Sequence, residues 1–114
     1  MRPRFVPLLL LAALLSFGAC ARDLATRPLS AGVEAAGEDR WDEAVQYWQK
    51  ALALTPDSAA VHNNLAVAFE KRGAWEDARR EYEEALRLQP VNAEIKANYE
   101  AFKVRFEAAR KKTP

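Results

Sequence analysis

The stretch WDEAVQYWQKALALTPDS at residues 41–58 is written a second time, in altered form, as WEDARREYEEALRLQPVN at residues 75–92. The offset is 34 throughout, and identical residues fall at Trp41/Trp75, Ala44/Ala78, Ala51/Ala85, Leu52/Leu86, Leu54/Leu88 and Pro56/Pro90. Trp48/Tyr82 keeps an aromatic ring in register, and Asp42 and Glu43 against Glu76 and Asp77 keep two acids at the start of each copy. Self-similarity at this spacing marks a repeat architecture, in which a unit buries its apolar face only by stacking on its neighbours.

Within each copy the chemistry is helical. Apolar side chains at 41, 44, 45, 48, 51 and 52 form a stripe with helical period, not the alternation of a strand. The paired acids sit where a helix N-terminus favours negative charge, and Pro56 and Pro90 forbid continuation at the other end. The segment SAAVHNNLAVAFEKRG at residues 58–73 supplies a partner helix: Ser58 is its N-cap, Val61, Leu65, Ala68 and Phe69 its stripe, and Gly73 its left-handed terminator. Two antiparallel helices per 34 residues is the expected unit.

These residues carry a resemblance to the tetratricopeptide repeat family. In residues 59–92, Leu65, Ala66, Phe69, Gly73, Ala78, Tyr82, Ala85 and Pro90 stand at the family's signature positions, with Trp75 early in the second helix. Ala66, Ala78 and Ala85 have a physical reason to be small, since paired helices interlock only where side chains are short. The fold class expected is all-α: a short helical-hairpin array of two repeats and a capping helix. Its divisions are a degenerate first repeat at residues 27–58, a second at 59–92, and a cap with a basic tail at 93–114.

The first repeat departs from the pattern around its turn. Gly37 lies four residues before Trp41, whereas Gly73 lies two before Trp75, so the turn GEDRW reads as two residues longer. That shift puts Leu29 and Val33 in the apolar places of Leu65 and Phe69, with Pro28 in the first helical turn, where proline is tolerated. The helix, over residues 27–36, is short and contains Gly32, and it is expected to be the least stable part of the domain. The third unit stops after one helix. Its sequence AEIKANYEAFKVRFEAARKK aligns Ile95, Tyr99, Phe102 and Phe106 on one face, as a cap that covers the last pair. Arg110, Lys111 and Lys112 close it with charges favourable at a helix C-terminus. Two repeats and a cap predict marginal stability or support from a partner.

The N-terminus speaks to location. MRPRF carries Arg2 and Arg4 and precedes the apolar run LLLLAALL, the layout of a secretory signal and not of a spanning helix, which needs about 20 apolar residues. Cys20, the sole cysteine, ends this run, so an intrachain disulfide is excluded. FGAC at residues 17–20 resembles the lipobox of bacterial lipoproteins, although Phe17 stands where leucine is usual. The resemblance implies cleavage of residues 1–19, lipid attachment at Cys20, and a short linker to residue 26. Ala21 in place of an aspartate after that cysteine implies the periplasmic face of the outer membrane. Ala19 and Ala21 also form an A-x-A site, and a cut after Ala21 would release a soluble periplasmic protein. A buried thiol is the third reading of Cys20.

Loss of residues 1–19 leaves 15 basic against 16 acidic side chains, a net of minus one, and nothing in that balance suggests nucleic acid. Enzymatic readings find no support. His62 is the only histidine and has no ligand or nucleophile at working spacing, no glycine-rich phosphate loop is present, and Glu81, Glu83 and Glu84 read as a solvated helix face. Metal and cofactor are both expected to be absent. The family resemblance implies a concave groove for a protein or peptide, lined here by Arg27, Ala31 and Glu34 from the first helix and by Ala60, Asn63, Asn64, Val67, Glu70 and Lys71 from the third. Only Asn64 matches the carboxylate clamp of one subfamily, and Glu94 and Asn98 occupy slots that clamp would make basic, so no such clamp is expected. Self-association through Tyr47, Ile95 or the first helix is the competing use of the surface.

Overall fold

A computed structural model describes residues 24–114; the leader at 1–19, Cys20 and residues 21–23 lie outside the described residues. Among the described residues there are five helices and no strand: α1 at residues 24–37, α2 at Trp41–Leu54, α3 at Ala59–Lys71, α4 at Trp75–Leu88 and α5 at Ala93–Lys112. They stack in chain order, α2 on α3, α3 on α4 and α4 on α5. None is long and apolar enough to cross a membrane.

The start and stop signals act where the sequence places them. Ser58 Oγ accepts from the Val61 amide at 3.4 Å, and the Asn92 side chain accepts from the Ile95 amide at 3.0 Å. Helices α2 and α4 end at Leu54 and Leu88, leaving one residue before each proline, Thr55 and Gln89, outside the helical conformation that a following proline disfavours. Ala66, Ala78 and Ala85 are wholly buried, as close helix packing requires. The cap is aromatic: Phe102 is buried with its ring centroid 5.2 Å from that of Tyr82 and 5.5 Å from that of Phe106, while Trp75 lies 6.2 Å from both Phe102 and Phe106. Tilted and offset pairs of this kind contribute about 0.5–1.5 kcal/mol each beyond the area they bury.

The first repeat differs from expectation, because its turn is not longer. Asp39, not Gly37, takes the left-handed conformation, with φ 58° against 73° at Gly73, which is 34 residues on. The Arg40 amide bonds to Ala35 O at 2.9 Å and the Asp39 amide to Ala36 O at 3.1 Å, the same pair of bonds made by Ala74 to Phe69 and Gly73 to Glu70. Both ends are Schellman closures, and α1 therefore keeps the offset of 34. Val33 does not occupy the place of Phe69; it is 55% exposed, and the buried Ala35 stands there instead. Helix α1 already includes residues 24–26, ahead of the expected start at 27.

Gly32 has a packing role. A Cβ built on it would lie 2.3 Å from Trp48 Nε1, so only glycine admits the indole, whose N–H donates to Leu29 O at 3.2 Å. In the second repeat the same two places hold Ala66 and the smaller Tyr82. Ile95 is also reassigned. It is buried against Ala59 and Ala85 and has no surface to give to self-association.

Candidate functional site

Side chains on the polar side of α3 meet α5. Asn98 Nδ2 donates to Asn63 Oδ1 at 3.1 Å, and farther along Arg105 Nε donates to Glu70. Between these bridges lies a depression of about 530 Å³ whose lining includes Val67, Glu70, Lys71, Tyr82, Asn98 and Arg105. A smaller hollow of about 90 Å³ continues past Ala60, Asn63 and Asn64 to Asn92 and Glu94. The expected α3 residues thus lie along one continuous side of the array.

The α1 residues are placed otherwise. Arg27 and Ala31 line a separate depression with Tyr47 and Lys50 of α2, and Glu34 is exposed on α1. With the offset of 34 preserved, the α1 residues sharing the register of Asn64 and Val67 are Ser30 and Val33, both exposed. Sequence reasoning missed them through the misplaced turn. It also missed Arg105, although the repeat itself pairs Lys71 with Arg105 as it pairs Asn64 with Asn98.

Glu70 organises the electrostatics. Its carboxylate, 10% exposed, accepts from Arg105 and, at 3.3 Å, from Tyr82 Oη. Burial first, and then the Glu70 charge and hydrogen bond, push the Tyr82 phenol well above its ordinary value, while Glu70 raises the Arg105 guanidinium in turn. With Glu70 satisfied internally, the groups left facing a partner are the Asn64 amide, which both donates and accepts, the Lys71 ammonium and, at the far end of the smaller hollow, the Glu94 carboxylate. Asn64 has no side-chain partner among the described residues, and Lys71 makes no ion pair there, its Nζ lying 5.8 Å from the Trp41 ring centroid. Such a groove suits an extended segment whose backbone C=O and N–H groups meet the Asn64 amide and whose acceptors meet Lys71, alongside an apolar contact to Val67.

His62 is committed elsewhere. Its Nε2–H donates to Pro56 O at 2.9 Å and its Nδ1 lies 2.6 Å from Glu81 Oε2, so the ring brackets the α2–α3 connection to α4 and leaves no nitrogen free to act as a base. Among the described residues no cluster of three His, Cys, Asp or Glu side chains could hold a metal.

Two mammalian proteins are similar over part of the chain. Protein O-mannosyl-transferase TMTC4 of Mus musculus is 36% identical over 63 residues, 55% of this chain, and Sperm-associated antigen 1 of Rattus norvegicus is 38% identical over 69 residues, 60% of this chain. The matched stretch spans 8% of the length of each relative. Among solved structures, the Arabidopsis OM64 TPR domain superposes with a TM-score of 0.70 at 20% identity, covering 79% of this chain and 73% of that one. The Sgt2 TPR domain from Aspergillus fumigatus superposes with a TM-score of 0.58 at 17% identity, covering 79% and 85%. These two show the shared fold. A sequence model of the tetratricopeptide repeat matches residues 29–93, more than half of the chain, and with the 34-residue register and paired helices described above it establishes that the chain belongs to the tetratricopeptide repeat family.

Proposed function

We propose that the protein is a lipid-anchored interaction module of the bacterial cell envelope, held at the periplasmic face of the outer membrane through Cys20. There it scaffolds or pilots an assembly such as a pilus, a secretion machine or the apparatus that installs outer-membrane proteins. The observation that carries the binding role is the polar side of α3, where Asn64 has no side-chain partner among the described residues and Lys71 makes no ion pair there, beside Val67, while Glu70 is satisfied from within. The basic start, short apolar run and FGAC sequence support the anchor. Several acyl chains on one cysteine make attachment durable, since each buried methylene contributes about 0.8 kcal/mol. The A-x-A sequence across Cys20 supports a second reading, a diffusible periplasmic adaptor with the same groove.

Photo-crosslinking residues placed at Asn64 and Val67 in the living cell test the groove, with the exposed Arg80 on α4 as control. The reading predicts one discrete envelope protein trapped from both α3 positions and not from Arg80. Equal capture from all three positions contradicts it.

A further inference from the structure

The two ends of the array are finished differently. At one end α5 lays Phe102 over Tyr82 and closes the last pair. At the other, the offset of 34 equates Arg27 and Ala31 with Val61 and Leu65, which are buried in the cluster that holds Val45 and Trp48 of the preceding helix. No described helix precedes α1 to cover Arg27 and Ala31 in the same way. The result is an open, largely apolar depression of about 540 Å³ across α1 and α2. Leu24 is 59% exposed and Leu54 40% exposed on it. Among the described residues, Arg27 and Lys50 are the only charged ones that line it, and neither has a carboxylate partner there. Lys50 Nζ lies 5.5 Å from the ring centroid of Tyr47.

We propose that this end face seats on an anionic lipid surface, so that the array stands on the membrane by its first pair with α5 at the far end. The proposal rests on lipid attachment at Cys20 and adds the orientation. Position is the first argument: Leu24 follows Cys20 by four residues, which at about 3.5 Å each hold the face within roughly 14 Å of the anchored sulfur. Charge is the second. The two charged side chains among the described residues lining it are cationic, and arginine, lysine and tyrosine can lay their apolar parts along the bilayer while their polar ends reach the headgroups. A second copy fits poorly, because a two-fold pairing of this face would set Arg27 and Lys50 against their own like charges.

The test uses the full-length chain processed in a Gram-negative host. Acylation consumes the Cys20 thiol, so a fluorophore attached to Leu54→Cys or Val104→Cys reports one position. The purified lipoprotein is placed in phosphatidylethanolamine vesicles containing phosphatidylglycerol and a spin-labelled lipid. The expected result is quenching of the probe at 54 with none at 104, and loss of that difference when Arg27→Glu and Lys50→Glu are added, with helix content unchanged. Equal response at both positions, in a protein shown by mass to be acylated, overturns the seating and leaves the anchor standing. An unquenched probe at 54 with a doubled mass in detergent assigns the face to a second copy and overturns it too. A purified chain without acyl mass overturns the anchor, and the proposal with it.

Discussion

Trp48 occupies the volume that a side chain on Gly32 would need, its Nε1 2.3 Å from the place of the absent Cβ. Gly32→Ala is therefore expected to destabilise the domain by about 1–3 kcal/mol, as overpacking does. The natural compensation is a smaller ring, as at Ala66 and Tyr82. Phenylalanine is the appropriate choice, because Ala36 stands where Glu70 would receive a tyrosine hydroxyl. In urea unfolding, Gly32→Ala combined with Trp48→Phe should show a favourable coupling of about 0.5–3 kcal/mol. Strict additivity would mean the two residues do not compete for space.

Asp39 holds a positive φ at the place that Gly73 holds in the second repeat. Left-handed backbone costs an L-residue about 1–2 kcal/mol, somewhat less for aspartate. Asp39→Gly should raise the midpoint of thermal unfolding and Gly73→Ala should lower it. A loss of stability in Asp39→Gly would show that the aspartate side chain contributes more than the strain it bears.

How much of this was legible in the sequence depends on which residue punctuated each turn. In the second repeat Ser58, Gly73 and Pro90 each do what their chemistry most commonly does, and the helices fall where those residues say. In the first, Gly37 drew the turn toward itself, although it lies within α1 and the neighbouring Asp39 makes the closure. Aspartate visits the left-handed region often enough to serve there, yet nothing in its identity announces it. That slip of two residues placed Val33 inside and put Arg27 and Ala31 in line with the α3 groove residues. Asn98 and Arg105 were legible through their offset from Asn64 and Lys71, but the bridges to Asn63 and Glu70 depend on the approach of α5, which no single helix's pattern reveals.

Alkaline pH should unfold the domain through Tyr82. Its phenol is raised in the folded state by burial and by Glu70, so the contribution is fully present below the unfolded value of about 10 and is lost as pH rises toward the folded value. Tyr99, raised by burial and Glu83, acts in the same direction. Denaturation midpoints measured across this range should fall more steeply for the natural protein than for Tyr82→Phe combined with Tyr99→Phe. Equal slopes would exclude the phenols as the cause.

Arg105 fastens the cap to α3 through Glu70. Arg105→Ala leaves that carboxylate with only the Tyr82 hydroxyl, and the expected cost is about 1 kcal/mol, since the guanidinium is half in solvent. Amide hydrogen exchange should quicken in α5 before it quickens in α2 or α3. Uniform acceleration across all helices would mean that the cap does not open as a separate unit.

The intact mass of the protein recovered from the membrane and soluble fractions of its host, beside a Cys20→Ala variant, bears most directly on the account. The account predicts a membrane species that begins at Cys20 and carries acyl mass, and that disappears in the variant. A soluble species beginning at Arg22, processed identically in the variant, would contradict the anchor and leave a freely diffusing adaptor in its place.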